Sequence, residues 1–170
     1  GDVVLGGEHL GDIDAANVRI RAGAPLLIKG DSTIRSRGTI NIEPGAQIVV
    51  EEGTLTLDAT KAFEITGADL RAAPHTHLAI IARKTLTIRD SVIAPTGVDP
   101  NPLGLTPPDD QRASLTIRDG GEGTPSIVLT GTSRVMATVL APHADVSIAG
   151  HTVLYGRVFA SRIHALDDAA

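Results

Sequence analysis

Residues 129–161 read LTGTSRVMATVLAPHADVSIAGHTVLYGRVFAS, and the stretch overlays on itself at a shift of nineteen. Gly131 falls on Gly150, Val139 on Val158 and Ala141 on Ala160. Leu129 meets Ile148, Val135 meets Leu154 and Leu140 meets Phe159. Within each copy, apolar and small polar residues alternate with a period of two, the signature of a strand with one buried face. A chain that repeats such a stretch at that interval is placing like side chains over like.

The same alternation runs through the rest of the chain, in TINI (39–42), TLTL (54–57), TLTI (85–88), SLTI (114–117) and DVSI (145–148). These runs are short, rich in β-branched residues and bounded by Gly, Pro, Asp or Asn, and no helical periodicity extends over ten residues. The chain reads as all-β. AGAPLLIKGD from Ala22 returns as PGAQIVVEEG from Pro44, twenty-two positions on, and GTINI at Gly38 returns as GTLTL at Gly53, fifteen on. Sandwiches and barrels have short strands too, but no reason to repeat a unit of about twenty residues. The pattern predicts a parallel β-helix, a β-solenoid in which each coil stacks on the last at ~4.8 Å. The crossover preference makes it right-handed.

At 170 residues the chain is expected to form a single solenoid domain over 1–170, with a coil or cap at 1–30. Spacings of fifteen, nineteen and twenty-two cannot all be one rung, so some corners carry insertions. The largest is APTGVDPNPLGLTPPDDQ (94–111), whose five prolines bar it from a central strand. ADLRAAPHTH (68–77) reads as a second excursion. Asp167 and Asp168 would blunt an open strand edge at the C-terminal end. The chain opens Gly-Asp-Val, and no charged-then-apolar leader is present, which suggests a processed protein or an excised domain.

Composition excludes several chemistries. Phe63, Tyr155 and Phe159 are the only aromatics, too few for stacking platforms under bases or sugars. The net charge is −5 with no Lys/Arg cluster in sequence, so no nucleic-acid or anionic-membrane footprint is expected, and no 18-residue apolar run would span a bilayer. There is no cysteine, so neither disulfides nor thiolate metal sites form. His75 and His77 are the candidate metal pair, since residues i and i+2 on a strand project to one face. A polar corner after Pro74 is the competing reading, no third ligand is evident, and no metal or other cofactor is expected. Asp99, Asp109 and Asp110 lack the alternating pattern of a calcium loop. Glu51 and Glu52 are adjacent, so they would point to opposite faces of a strand, the wrong geometry for a glycosidase dyad. No nucleophile elbow or phosphate loop occurs, and the chain reads as non-enzymatic. Thr54/Thr56, Thr85/Thr87 and Ser114/Thr116 would face outward, an arrangement that suits an ice- or glycan-binding face if the pairs align.

The closing segments APHADVSIAG (141–150) and YGRVFA (155–160) fit the pattern APxAxVxIxG…YGxVxA position by position. With GTINIEPGAQIVVEEGTLTL before them, they make residues 38–167 resemble a C-terminal β-solenoid domain of bacterial surface proteins, often found behind pilin-like or pilus-assembly-associated segments. Where that domain commonly ends IHYD, this chain has Ile163 and His164 followed by Ala165 and Leu166. The resemblance implies an extracellular or cell-surface structural or adhesive module with no catalytic residues. More loosely, the chain is similar to the bactofilins, cytoplasmic solenoids that polymerise end to end. The expected partners are other proteins or surface polymers, or a second copy through a strand edge. The expected contact surface is the proline-rich insertion, with Asp99, Pro100, Asn101, Pro102, Pro107, Pro108, Asp109 and Asp110.

Overall fold

The computed structural model describes residues 1–9, 11–98, 114–121 and 123–166. The first coil contains β1 (Asp2–Leu5), β2 (Glu8–His9) and β3 (Ile13–Ala15), and the second β4 (Asn17–Ile20), β5 (Leu26–Lys29) and β6 (Ser32–Ser36). The third contains β7 (Ile40–Ile42), β8 (Gln47–Glu52) and β9 (Thr54–Ala59), and the fourth β10 (Ala62–Thr66), β11 (Asp69–Ala72) and β12 (His77–Ala82). The fifth contains β13 (Thr85–Arg89), β14 (Val92–Pro95) and β15 (Ser114–Asp119), followed by β16 (Ser126–Thr130). Through these coils each strand pairs in parallel with the strand three places on, as β4 does with β7 and β7 with β10, so the coil has three sides. β17 (Arg134–Ile148) and β18 (Val153–Ala165) run round the corners without a break and join the sides into one continuous sheet. No helix occurs among the described residues. The protein is a parallel β-solenoid.

Period-two alternation fills the interior because every second residue of each strand points inward. On the first side, Val18, Ile40, Phe63, Leu86, Ile127 and Val146 form one buried column. On the third side, Ile34, Leu57, Ile80, Ile117 and Val139 form another. Each such side chain contributes roughly 1.5–3 kcal/mol by leaving water, and none could do so in an isolated coil. The nineteen-residue echo is this stacking: Leu129 pairs with Ile148, Val135 with Leu154, Val139 with Val158 and Ala141 with Ala160. The twenty-two-residue echo is also one rung, with Leu26 on Ile48 and Ile28 on Val50.

The fifteen-residue echo is not a rung. Gly38-Thr39 leads into the first side and Gly53-Thr54 into the third, so the two GT pairs share a corner device and do not stack. Below each lies an Asx residue. Asn17 Oδ1 accepts the Thr39 N–H at 3.1 Å, and Asp31 Oδ1 accepts the Thr54 N–H at 2.9 Å. Gly131-Thr132 repeats the arrangement over Asp90, whose Oδ1 accepts the Thr132 N–H at 2.9 Å. In all three the Asx oxygen occupies the space a Cβ on the glycine would need.

Three further expectations need correction. Residues 68–77 make no excursion: β11 is a regular strand stacked on β8 and β14, and Ala73–Thr76 is an ordinary corner closed by the Thr76 hydroxyl, which donates to Ala73 O at 2.8 Å. Pro74 suits that corner because a turn needs no ladder donor there. Ala94 and Pro95 belong to buried β14, so the insertion begins after them. Pro95 is tolerated at the last strand position, where it pairs with Ala72. Glu51 and Glu52 are both exposed: alternation after Ile48 and Val50 turns Glu51 outward, and the one-residue register slip between Ile28/Val50 and Lys29/Glu52 turns Glu52 outward as well.

Gly131 has φ 72°, in the left-handed region, and a Cβ there would strike Asp90. Gly97 has φ 74° with nothing within 4 Å of its Cβ position. Gly131→Ala should therefore cost about 2–3 kcal/mol in urea unfolding, from strain and the displaced Asp90 bond, and Gly97→Ala only about 1 kcal/mol.

Candidate functional site

A groove forms where the third side meets the first, and a change of corner length creates it. Ala82 pairs with Asp119, and Thr85 pairs with Ser126. Two residues therefore lie between those positions in the fourth coil and six in the fifth. Beside the longer corner lies a groove of about 640 Å³ lined by Arg35, Asp58, Thr60, Arg83, Lys84, Gly123 and Thr124.

Asp58 lies at the centre. It stacks between Arg35 of β6 and Ile81 of β12 on the outer face, yet its side chain is only 3% exposed. Arg83, just past β12, folds back over it and donates from Nε to Oδ1 at 2.7 Å and from Nη2 to Oδ2 at 2.9 Å. The Arg83 stem passes over Gly120 of the next coil, where a Cβ would come within 2.5 Å of Arg83 Cγ. Arg35 Nε approaches Oδ2 at 3.4 Å, and the Arg35 side chain remains 55% exposed. The Arg83 hydrogen bond holds the Asp58 carboxyl below the usual carboxylate range. Burial opposes that shift, and the charges of Arg83 and Arg35 add to it. Two arginines thus hold one ionised carboxylate, and Lys84 lines the same groove.

Sequence reasoning missed this group because its members lie far apart along the chain. The signal was the rung length: Arg35 precedes Asp58 by one 23-residue rung, and Arg83 follows by little more. The absence of a Lys/Arg cluster in sequence does not carry over to the folded surface.

The sequence-derived candidates fare differently. His75 sits in the turn with φ 64°, and His77 opens β12 beside Thr54 and Ser114, with buried Thr76 between them. The two do not share a strand face, because the corner breaks the i, i+2 geometry. Among the described residues no group of three or more His, Cys, Asp or Glu could hold a metal ion. Asp99, Pro100, Asn101, Pro102, Pro107, Pro108, Asp109 and Asp110 lie outside the described residues, as do Asp167 and Asp168. Thr54/Thr56 and Ser114/Thr116 share the third side, separated by His77 and Ala79, while Thr85/Thr87 lie on the first, so the pairs do not form one ladder.

The coil and its groove define the class, a three-sided parallel β-solenoid. No protein-family model, curated protein or solved structure matches the chain.

Because its pKa is depressed on folding, Asp58 stabilises the fold above the unfolded carboxyl's value, and that contribution is lost as the pH falls through the lower folded value. Asp58→Asn should cost about 1–3 kcal/mol at neutral pH, discounted for the partial exposure of Arg83 and Arg35. Urea midpoints measured between about pH 5 and pH 2 should fall more steeply for the wild type than for the variant.

Proposed function

We propose that the chain is a non-enzymatic structural module, a stiff β-solenoid of a bacterial cell-surface or pilus-associated protein that displays its corner insertion to proteins or surface polymers. One observation carries the reading. Leu86 pairs with Ile127, forty-one residues on, where Phe63 pairs with Leu86 at twenty-three, yet the buried column continues through that coil without a break. Most of the extra length lies between Pro95 and Ser114, where eighteen residues intervene against four between Ala72 and His77. A core that stays in register across such an insertion is a scaffold on which a contact surface can vary. The closing motif supports the resemblance in physical terms. Ala141, Ala144 and Val146 are fully buried, and Gly156 leaves no room for a Cβ against Ala137 O. A chain with residues 99–113 replaced by a short Gly-Ser linker should melt within about 3 °C of the wild type, because loop length costs little. It should also lose binding to any surface partner recovered with the intact chain. Loss of the cooperative melt in the linker variant, or undiminished partner binding, would sink the reading.

A bactofilin-like scaffold is the second reading, favoured by the charges on the first and last coils. The outer edge of β18 pairs with no other described strand, and Phe159 and Ile163 on it, with Leu166 just past its end, are exposed. Extending the columns into a second copy sets Val158 over Ile13 and Ile163 over Val3. It also brings Arg157 and Arg162 beside Asp12 and Asp2, so a basic last coil meets an acidic first one. Stacking of this kind is head-to-tail and does not close. On this reading, sedimentation velocity should give species that grow with concentration and shrink with salt, and Ile163→Asp should abolish them. A single monomeric boundary at every concentration would remove it.

A further inference from the structure

We propose that the groove where the third side meets the first is an oxyanion-binding site, taking a phosphate or carboxylate group between Arg35 and Lys84. Charge is the first argument. Among the described lining residues, Arg35, Arg83 and Lys84 bring three positive charges to one concave surface and Asp58 returns one negative charge, on a protein whose net charge is −5. The bidentate Arg83 bond occupies that carboxylate, which leaves Arg35 with one longer contact to it at 3.4 Å. Like charges held together in this way repel, and a concave wall of low dielectric focuses their field outward. An anion entering the groove relieves that repulsion.

The donor set is the second argument. The Arg35 guanidinium offers a planar fork suited to two oxygens of one anion, and Lys84 offers a point charge that adapts to either geometry. Thr60 and Thr124 add hydroxyls, and Gly123 brings the backbone close. Its volume falls within the range of small-molecule sites. None of the lining residues is aromatic, so neither a base nor a neutral sugar ring finds a stacking surface, and charge with hydrogen bonding must hold the ligand. Phosphate and carboxylate groups share that chemistry. The inference does not depend on whether the module displays its insertion or stacks with copies of itself.

The test is titration of the 170-residue chain at low ionic strength, followed by amide NMR and calorimetry, with inorganic phosphate and with trigalacturonate as probes. At least one probe should bind saturably, with shifts concentrated at Thr60, Gly123 and Thr124. Arg35→Gln and Lys84→Gln, both at exposed positions and so compatible with folding, should each weaken binding about tenfold. Arg89→Gln, an exposed arginine on β13 outside the groove, should leave it unchanged. Saturation by phosphate alone assigns a phosphate group, saturation by trigalacturonate alone assigns a carboxylate, and saturation by both assigns the shared oxyanion chemistry. The proposal is overturned if neither probe saturates, if shifts scatter over basic residues elsewhere, or if the two groove variants bind as the wild type does.

Discussion

Vertical registry between coils is the constraint on which everything else rests. A strand of this chain gains a buried face only because the strand one coil away presents an apolar residue at the same position, and it gains its hydrogen bonds from the same neighbour. The two conditions reinforce each other. Slipping one strand by a single residue would turn Ile40 or Leu57 outward and bring Asn41 or Thr56 into the interior. Phe63 shows how far the columns tolerate variation: the one fully buried aromatic sits between Ile40 and Leu86 without displacing the register.

Corners carry what the strands cannot. Each must turn the chain onto the next side while keeping the next strand in phase, and the Gly-Thr pairs over Asn17, Asp31 and Asp90 do so by letting a side-chain oxygen from one coil bond the backbone of the next. Buried hydroxyls do related work where the first side turns into the second. Ser91 Oγ accepts the Ala68 N–H, and Ser133 Oγ accepts the Ser91 N–H, so polar groups inside that corner are satisfied coil by coil. Corner length is then free to vary. Four added residues after β15 open the groove around Asp58, and fourteen after β14 make the insertion, while the sheets beneath continue. Surface variety in this fold is a property of its corners.

Much of the architecture was legible from alternation and self-similarity, because residues that stack must resemble one another in polarity and size. The apolar pairings at nineteen and twenty-two appear in the structure, the second as far as Ile28 and Val50, where the register slips. The fifteen-residue echo misled because GT followed by alternation marks a kind of corner, and three corners per coil can each use it. Residues 68–77 misled for the opposite reason: Pro74 and His75 look disruptive in a linear reading but fall where the chain must turn anyway. His75 and His77 then lose their common face to that same turn.

The sequence by itself determined that the chain is all-β, that its strands are half-buried and that they repeat on coils of about twenty residues, since these follow from side-chain polarity along the backbone. It also carried the insertion and the scarcity of aromatics. Only the tertiary structure decided which residues meet across coils. Arg35, Asp58 and Arg83 are strangers along the chain, and they become neighbours because two 23-residue rungs stack Arg35, Asp58 and Ile81, and Arg83 folds back from just past β12. Electrostatics acts through space at a few ångströms, and no spacing rule confined to one strand could have placed that charge.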